Sequence, residues 1–418
     1  MKNSAALYNV HLGMKFTIAI PSVQIPRVGP TRIEVWNPKI RIPFLSLLIE
    51  PRALWKWLFM WSFCLYLLFC MFCFFQWEQP RLNHETYIRF GADSPTYWEA
   101  INYRQEHADH GSTLVSFTGN LLGPVLIGLT FKTGFNVALF NIFLFFIAVE
   151  IGCSIPGVDR YWLLFLLAIS AETAPALVTL NKEILVLLST ILLAKYIYSR
   201  KRSKLLLGLI LFISIFARWE QIALILLFLF LQRKGSIFAR RPRFAIAVVI
   251  AVLSVLYTLI ARIPGSGIRA FTQYAEGANT IAKLNHIQAS FGFPLVVVPK
   301  IIMDLFGELL RPLTLAREYS YSTLNIGDIH SGVIIPLFSI GLIILLVIAY
   351  RRGLLNVRRP IAFLIVIYMI TTAVTPFVQP RYNYFVYVLL CVELAMRRQS
   401  DTVKEAVVER DRIFQPTI

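Results

Sequence analysis

Asp93 stands in the octet Gly91-Ala92-Asp93-Ser94-Pro95-Thr96-Tyr97-Trp98, and a carboxylate fixed in such a turn can act as a general base. Gly91 permits unusual backbone angles, and Pro95 keeps Ser94 out of the helical region. A helix starting near Pro95 therefore leaves Asp93 just ahead of its first turn. Tyr97 and Trp98 suit the level of lipid headgroups. The plainer reading of the octet is an N-capping aspartate in a surface loop. Three further polar clusters interrupt long apolar runs: Asn181-Lys182-Glu183, Arg218-Trp219-Glu220 and Arg381-Tyr382. Their chemistry complements that of Asp93. Guanidinium and ammonium groups stabilise a departing phosphate, while a carboxylate takes the proton of an attacking hydroxyl. Each cluster also has a purely structural reading. Lys182 and Glu183 can end one helix and start the next, Arg218 and Glu220 can form a mutual ion pair, and Arg381 can anchor the interface beside Tyr382. Glu172, inside an apolar run, either bonds a neighbouring helix or lines a cavity. His286 and His330 read as loop histidines.

These residues are embedded in a chain of 418 residues that is 57% hydrophobic, with a mean hydropathy of +0.65. That balance belongs to polytopic membrane proteins. The net charge of +18 would suggest nucleic acid in a soluble protein. Here the basic residues gather in short links between apolar runs, the positive-inside pattern, so no nucleic-acid partner is expected. The cysteines Cys64, Cys70, Cys73, Cys153 and Cys391 lie in or at the ends of apolar runs without metal-ligand spacing, and read as packing residues.

Taken in order, residues 1–53 carry scattered basic residues and prolines and no cleavable signal, and are expected to form a cytoplasmic segment. Leu54 to Phe75 is the first span, leading to an outer loop over 76–134. Leu114 to Phe131 is rich in Gly and Pro and reads as an outer interfacial helix, because a span there would reverse every later link. Phe135 to Cys153, Tyr161 to Leu180 and Ile184 to Tyr198 then cross alternately. Leu205 to Leu231 reads as a tight hairpin with Arg218-Trp219-Glu220 at its outer tip, keeping the basic links on both sides inside. Phe244 to Ala261 leads to a second outer loop over 262–332, where Lys300, Asp304 and Glu308 share a helical face at four-residue spacing. Val333 to Ala349, Ile361 to Phe377 and Tyr384 to Met396 complete a transmembrane domain over 54–396, with a cytoplasmic tail over 397–418. The fold class expected is therefore an all-α polytopic membrane protein with about ten transmembrane helices and outer interfacial helices.

Under that topology every unusual polar cluster falls on the extracytoplasmic face. An acidic base among Arg and Lys at a membrane surface suits a substrate with an anionic leaving group and a lipid tail, such as a polyprenyl-phosphate sugar. The order of features resembles the GT-C glycosyltransferases, which include protein O-mannosyltransferases and the lipid A aminoarabinose transferase. The features are an outer-loop Asp after one span, the Gly/Pro segment Asn120-Leu121-Leu122-Gly123-Pro124, a Lys-Glu at an outer span start, a hairpin with an outer Arg, and a late Pro-Arg-Tyr. The resemblance covers Leu54 to Met396 as topology, and its motifs are single residues.

It implies Asp93 as the first-loop catalytic acid, Glu183 with Lys182 at a second outer acidic site, Arg218 at the hairpin tip and Arg381 near the lipid phosphate. Glu220, Tyr382 and Tyr97 join the expected substrate-binding set. Asp93 is followed by Ser94 where a paired-acid metal site would need a second acid, so no cofactor is assigned, and a divalent metal stays open. The implied activity is glycosyl transfer from a polyprenyl-phosphate-linked donor to a glycan or glycolipid acceptor, on the outer face of a bacterial inner membrane. Two rival classes remain at this point. A flippase or transporter of lipid-linked oligosaccharides should show inverted repeats and mid-membrane polar residues, and an O-antigen or exopolysaccharide polymerase would use an Arg-rich outer loop such as Arg262 to Arg317.

Overall fold

The computed structural model describes residues 97, 98, 101, 122–199, 202–218, 220–233, 235–262, 280–307, 309, 333–375 and 380–396. All of them belong to the unit Lys56–Ile418. Asp93, Trp219, the first span, the segment 1–53, the tail 397–418 and most of both outer loops lie outside the described residues. Within them the chain is all-helical, apart from one isolated antiparallel bridge between Val158 and Met396.

The helices are α1 Leu122–Phe131, α2 Gly134–Cys153, α3 Arg160–Ala168, α4 Thr173–Val178, α5 Glu183–Tyr198, α6 Lys204–Ala217, α7 Glu220–Leu231, α8 Ile237–Arg240, α9 Pro242–Arg262, α10 Thr280–Phe291, α11 Val297–Phe306, α12 Ile335–Arg351, α13 Pro360–Ala373 and α14 Tyr384–Ala395. Every residue of α14 is buried. It forms the core against α3, α5, α12 and α13.

The contacts of α14 define two ends of the bundle. At its C-terminus, Ala395 O accepts from Asp159 N at 2.9 Å, and Glu393 meets Tyr198 and, at 3.6 Å, Arg359. Arg202, over the Tyr196 ring, and Arg359 belong to this basic end, and Phe228 of α7 meets Phe363 of α13 near it. At its N-terminus, the far end, stand Tyr382, Arg218 and Glu183. Chain direction alternates between the two ends.

Two local breaks shape the far end. Tyr161 to Leu180 is expected as one span, but the structure divides it into α3 and α4. Pro175 is the reason: it has no N–H to donate to the carbonyl four residues earlier, and its ring would clash there. The helix restarts just before it, with Pro175 in the first turn. Asp159 fixes the start of α3 by accepting from the N–H groups of Tyr161 and Trp162. The run 205–231 reverses at Arg218, whose extended backbone (φ −156°, ψ 109°) separates α6 from α7. Gln221, in the first turn of α7, accepts from Ser189 Oγ deep in α5, and Phe228 contacts the ring of Phe363 near the basic end. The chain therefore returns along α7 as a hairpin.

α1 packs into the bundle and closes tightly on α6. A Cβ on Gly123 would fall 2.2 Å from the carbonyl oxygen of Phe216, so only glycine allows this approach. A second glycine, Gly292 (φ +97°), makes the reversal between α10 and α11. The following Phe293 N–H donates to Ser254 Oγ, well inside α9.

α11 shows which way the polar face expected from spacing turns. Lys300 and Asp304 do share a face, but that face is buried, while Val298, Ile302 and Phe306 on the other side are exposed. The helix is amphipathic with its apolar side outward. Exposed large apolar side chains also line α2, α6, α7, α9 and α12, among them Phe143, Phe212, Phe230, Val255 and Ile344. A water-facing surface rarely carries so much contiguous apolar area, whereas a lipid-facing one must. Two helices, Gly134–Cys153 and the Pro242–Ile260 part of α9, are long and apolar enough to cross a membrane. Together these features associate the protein with a membrane.

Candidate active site at the far end of the bundle

Glu183 begins α5, where a carboxylate is favoured by the helix dipole. Asn181 Oδ1 accepts the Glu183 N–H at 3.1 Å, fixing the turn that presents it. The packing of α5 against α6 brings Arg218 to the same place. Arg218 Nη2 donates to Glu183 Oε1 at 3.2 Å, with side chains only 9% and 2% exposed. A buried pair of this kind is costly to break, because removing one partner strands the other charge.

The guanidinium of Arg218 also lies over the ring of Tyr382, with Cζ 4.9 Å from the centroid. Arg381 approaches the same ring at 5.6 Å. Its charge is felt at Arg218, so two cations meet at one aromatic platform. That platform is held from below: Tyr368 Oη on α13 donates to the Tyr382 carbonyl at 2.6 Å. Four expected residues, Glu183, Arg218, Arg381 and Tyr382, therefore form one connected cluster. Lys182 adjoins it in the chain and is buried.

Two further expected residues are placed differently from expectation. Glu220 is exposed at the start of α7; its charge is felt at Tyr368, while the ion pair of Arg218 runs to Glu183. Tyr97 does not sit at a headgroup surface. It is buried with Ile101, Val125, Ile127, Val137 and Leu180 in a small apolar cluster, because α1 and α2 supply apolar neighbours on that side. Leu180 immediately precedes Asn181, so the segment that follows Asp93 packs beside the turn presenting Glu183.

Several residues of the site escape a reading by charge alone. Tyr368 gives no signal, being one aromatic in an apolar helix. Gln221, a polar side chain within the 205–231 run, carries that one signal; its Oε1 accepts from Ser189 Oγ at 3.3 Å. Glu172 is buried at the start of α4, next to Thr173, whose hydroxyl lies 3.0 Å from Tyr384 Oη. Nearby, Lys300 donates to the Thr375 carbonyl at 3.0 Å and to Gln288, while Gln288 donates to the Val374 carbonyl. Burial pushes the Lys300 ammonium down to about 8, with the Asp304 carboxylate opposing that shift.

Several buried polar atoms at this end have no hydrogen-bond partner: Glu183 Oε2, Arg218 Nε, Gln221 Nε2 and both amide atoms of Asn383. Native interiors seldom leave such groups unsatisfied, and sites that bind ligands are a common exception. Among the described residues, no group of three or more His, Cys, Asp or Glu is arranged to hold a metal ion. The cluster can therefore do two things with its own side chains: attract an anion to paired guanidiniums, and offer hydrogen bonds to a polar ligand. No protein-family model matches the chain, and no curated protein or solved structure was found to be similar to it.

Proposed function

We propose that the protein is a GT-C-type membrane glycosyltransferase that moves a sugar from a polyprenyl-phosphate-linked donor to a glycan or lipid acceptor. The reaction takes place on the extracytoplasmic face of a bacterial inner membrane. The observation that carries this reading is the meeting of Arg218 and Arg381 on the Tyr382 ring at the end opposite the basic links. Basic links mark the cytoplasmic side, so the paired guanidiniums belong at the outer headgroup level, where a carrier phosphate lies. Alternation of helix direction, with Leu54 to Phe75 added, supports about ten spans with both termini inside. The helices of the Arg218 hairpin are short, about 18–21 Å at 1.5 Å per residue, which suits a dent in the outer leaflet.

In this reading the acceptor hydroxyl gives its proton to Asp93 as its oxygen attacks the anomeric carbon. The carrier phosphate leaves with the bonding electrons, and Arg218 and Arg381 take up its charge. Glu183 orients Arg218, Tyr382 seats both guanidiniums, and Lys182 adds positive potential.

The test is donor binding by Arg381 variants. A guanidinium binds phosphate through two parallel hydrogen bonds, whereas lysine is a point charge. Arg381→Lys should keep part of the affinity for polyprenyl-phosphate hexose. Arg381→Ala should bind it at least about tenfold more weakly, since charge-assisted bonds are worth roughly 1.5–3 kcal/mol each. Unchanged affinity in equal amounts of folded Arg381→Ala protein would leave Arg381 as a membrane anchor and remove it from the site.

A further inference from the structure

Asn383 ends the 3₁₀ turn Pro380–Asn383 and occupies the N-cap position of α14. Asparagine at that position ordinarily accepts a hydrogen bond from an N–H of the first helical turn. Asn383 makes no such bond. Its side chain is 1% exposed, and neither Oδ1 nor Nδ2 has a hydrogen-bond partner. A carboxamide buried in this state weakens the fold, so its presence asks for a role outside the fold.

Its neighbours hold it there. The Tyr382 carbonyl is fixed by Tyr368, and the Tyr384 hydroxyl lies 3.0 Å from that of Thr173. Between two pinned tyrosines, the backbone of Asn383 is held in place. The residue before it carries the ring on which Arg218 and Arg381 meet. A buried donor and a buried acceptor are thus tethered one residue from the ring that seats the paired guanidiniums.

We propose that Asn383 is a specificity-determining residue that reads hydroxyl groups of the sugar joined to the bound phosphate, donating from Nδ2 and accepting at Oδ1. This rests on the lipid-phosphate donor reading above. A carboxamide is suited to adjacent sugar hydroxyls, because each hydroxyl both donates and accepts. A site built around such bonds discriminates strongly against a ligand that lacks them.

The full-length protein in lipid nanodiscs provides the test, with bare polyprenyl phosphate and its glucosyl, galactosyl, mannosyl and arabinosyl derivatives as probes. Wild type should bind at least one glycosylated probe about tenfold more tightly than the bare lipid phosphate. Asn383→Ala should bind the bare lipid phosphate as wild type does and lose that preference. Asn383→Leu, which keeps the branched shape and the number of heavy atoms, should behave likewise. Neither variant should melt below wild type, because the amide has no bond to lose. A preference retained by both variants overturns the proposal, as does a melting temperature several degrees lower in both. Equal binding of bare and glycosylated probes by wild type also overturns it while leaving the phosphate site standing. Binding of no probe at all by wild type instead overturns the donor reading on which it rests.

Discussion

Arg218→Ala should destabilise the protein by about 3–5 kcal/mol, because it strands a buried carboxylate. Glu183 is almost fully enclosed, and its second oxygen, Oε2, already has no hydrogen-bond partner. Without Arg218, neither oxygen would keep the bond now made to Oε1. Arg218→Lys should be intermediate, since an ammonium cannot both lie flat on the Tyr382 ring and reach Glu183 as the guanidinium does. The double variant Glu183→Gln/Arg218→Met removes both charges together and should regain most of the lost stability. It should not regain donor affinity. Thermal unfolding of the purified variants in one detergent makes the comparison. A double variant as unstable as Arg218→Ala would mean that the Glu183 charge is not what the substitution exposes.

The second large effect concerns turnover. Asp93→Asn should lower transfer by roughly 10²–10⁴-fold, the range that general base catalysis contributes. The amide is isosteric but cannot take the acceptor proton. Donor binding should therefore stay near wild type, and the loss should appear in kcat rather than in affinity. Turnover near wild type in purified, folded Asp93→Asn protein would remove Asp93 from the mechanism.

Charge in an apolar run was the most readable signal, because a membrane protein keeps such residues only where they have partners or work to do. Glu183, Arg218 and Arg381 were all visible in this way. Their pairing was not. Arg218 and Glu220 stand two positions apart in the chain and suggest a mutual pair, yet the packing of α5 against α6 gives Arg218 to Glu183, 35 positions away. Hydropathy made one span of Tyr161 to Leu180, since an apolar average does not register the hydrogen bond that Pro175 cannot make. The four-residue spacing of Lys300 and Asp304 revealed a polar face on α11 but not the side it faces. Periodicity has no sign, and in a lipid-facing helix the polar face turns inward. Tyr97 shows the same ambiguity: an aromatic near a polar turn serves equally as a headgroup anchor or as packing, and its apolar neighbours from α1 and α2 decide for packing.

The central claim, that the far-end cluster serves sugar transfer, is tested most directly in proteoliposomes holding labelled polyprenyl-phosphate hexose, with glycolipids extracted from the producing cells as acceptor. The account predicts protein-dependent release of free polyprenyl phosphate, with the labelled sugar appearing on acceptor, and neither product from Asp93→Asn. Donor that stays chemically intact while the protein moves it from one leaflet to the other would contradict the account and identify a transporter.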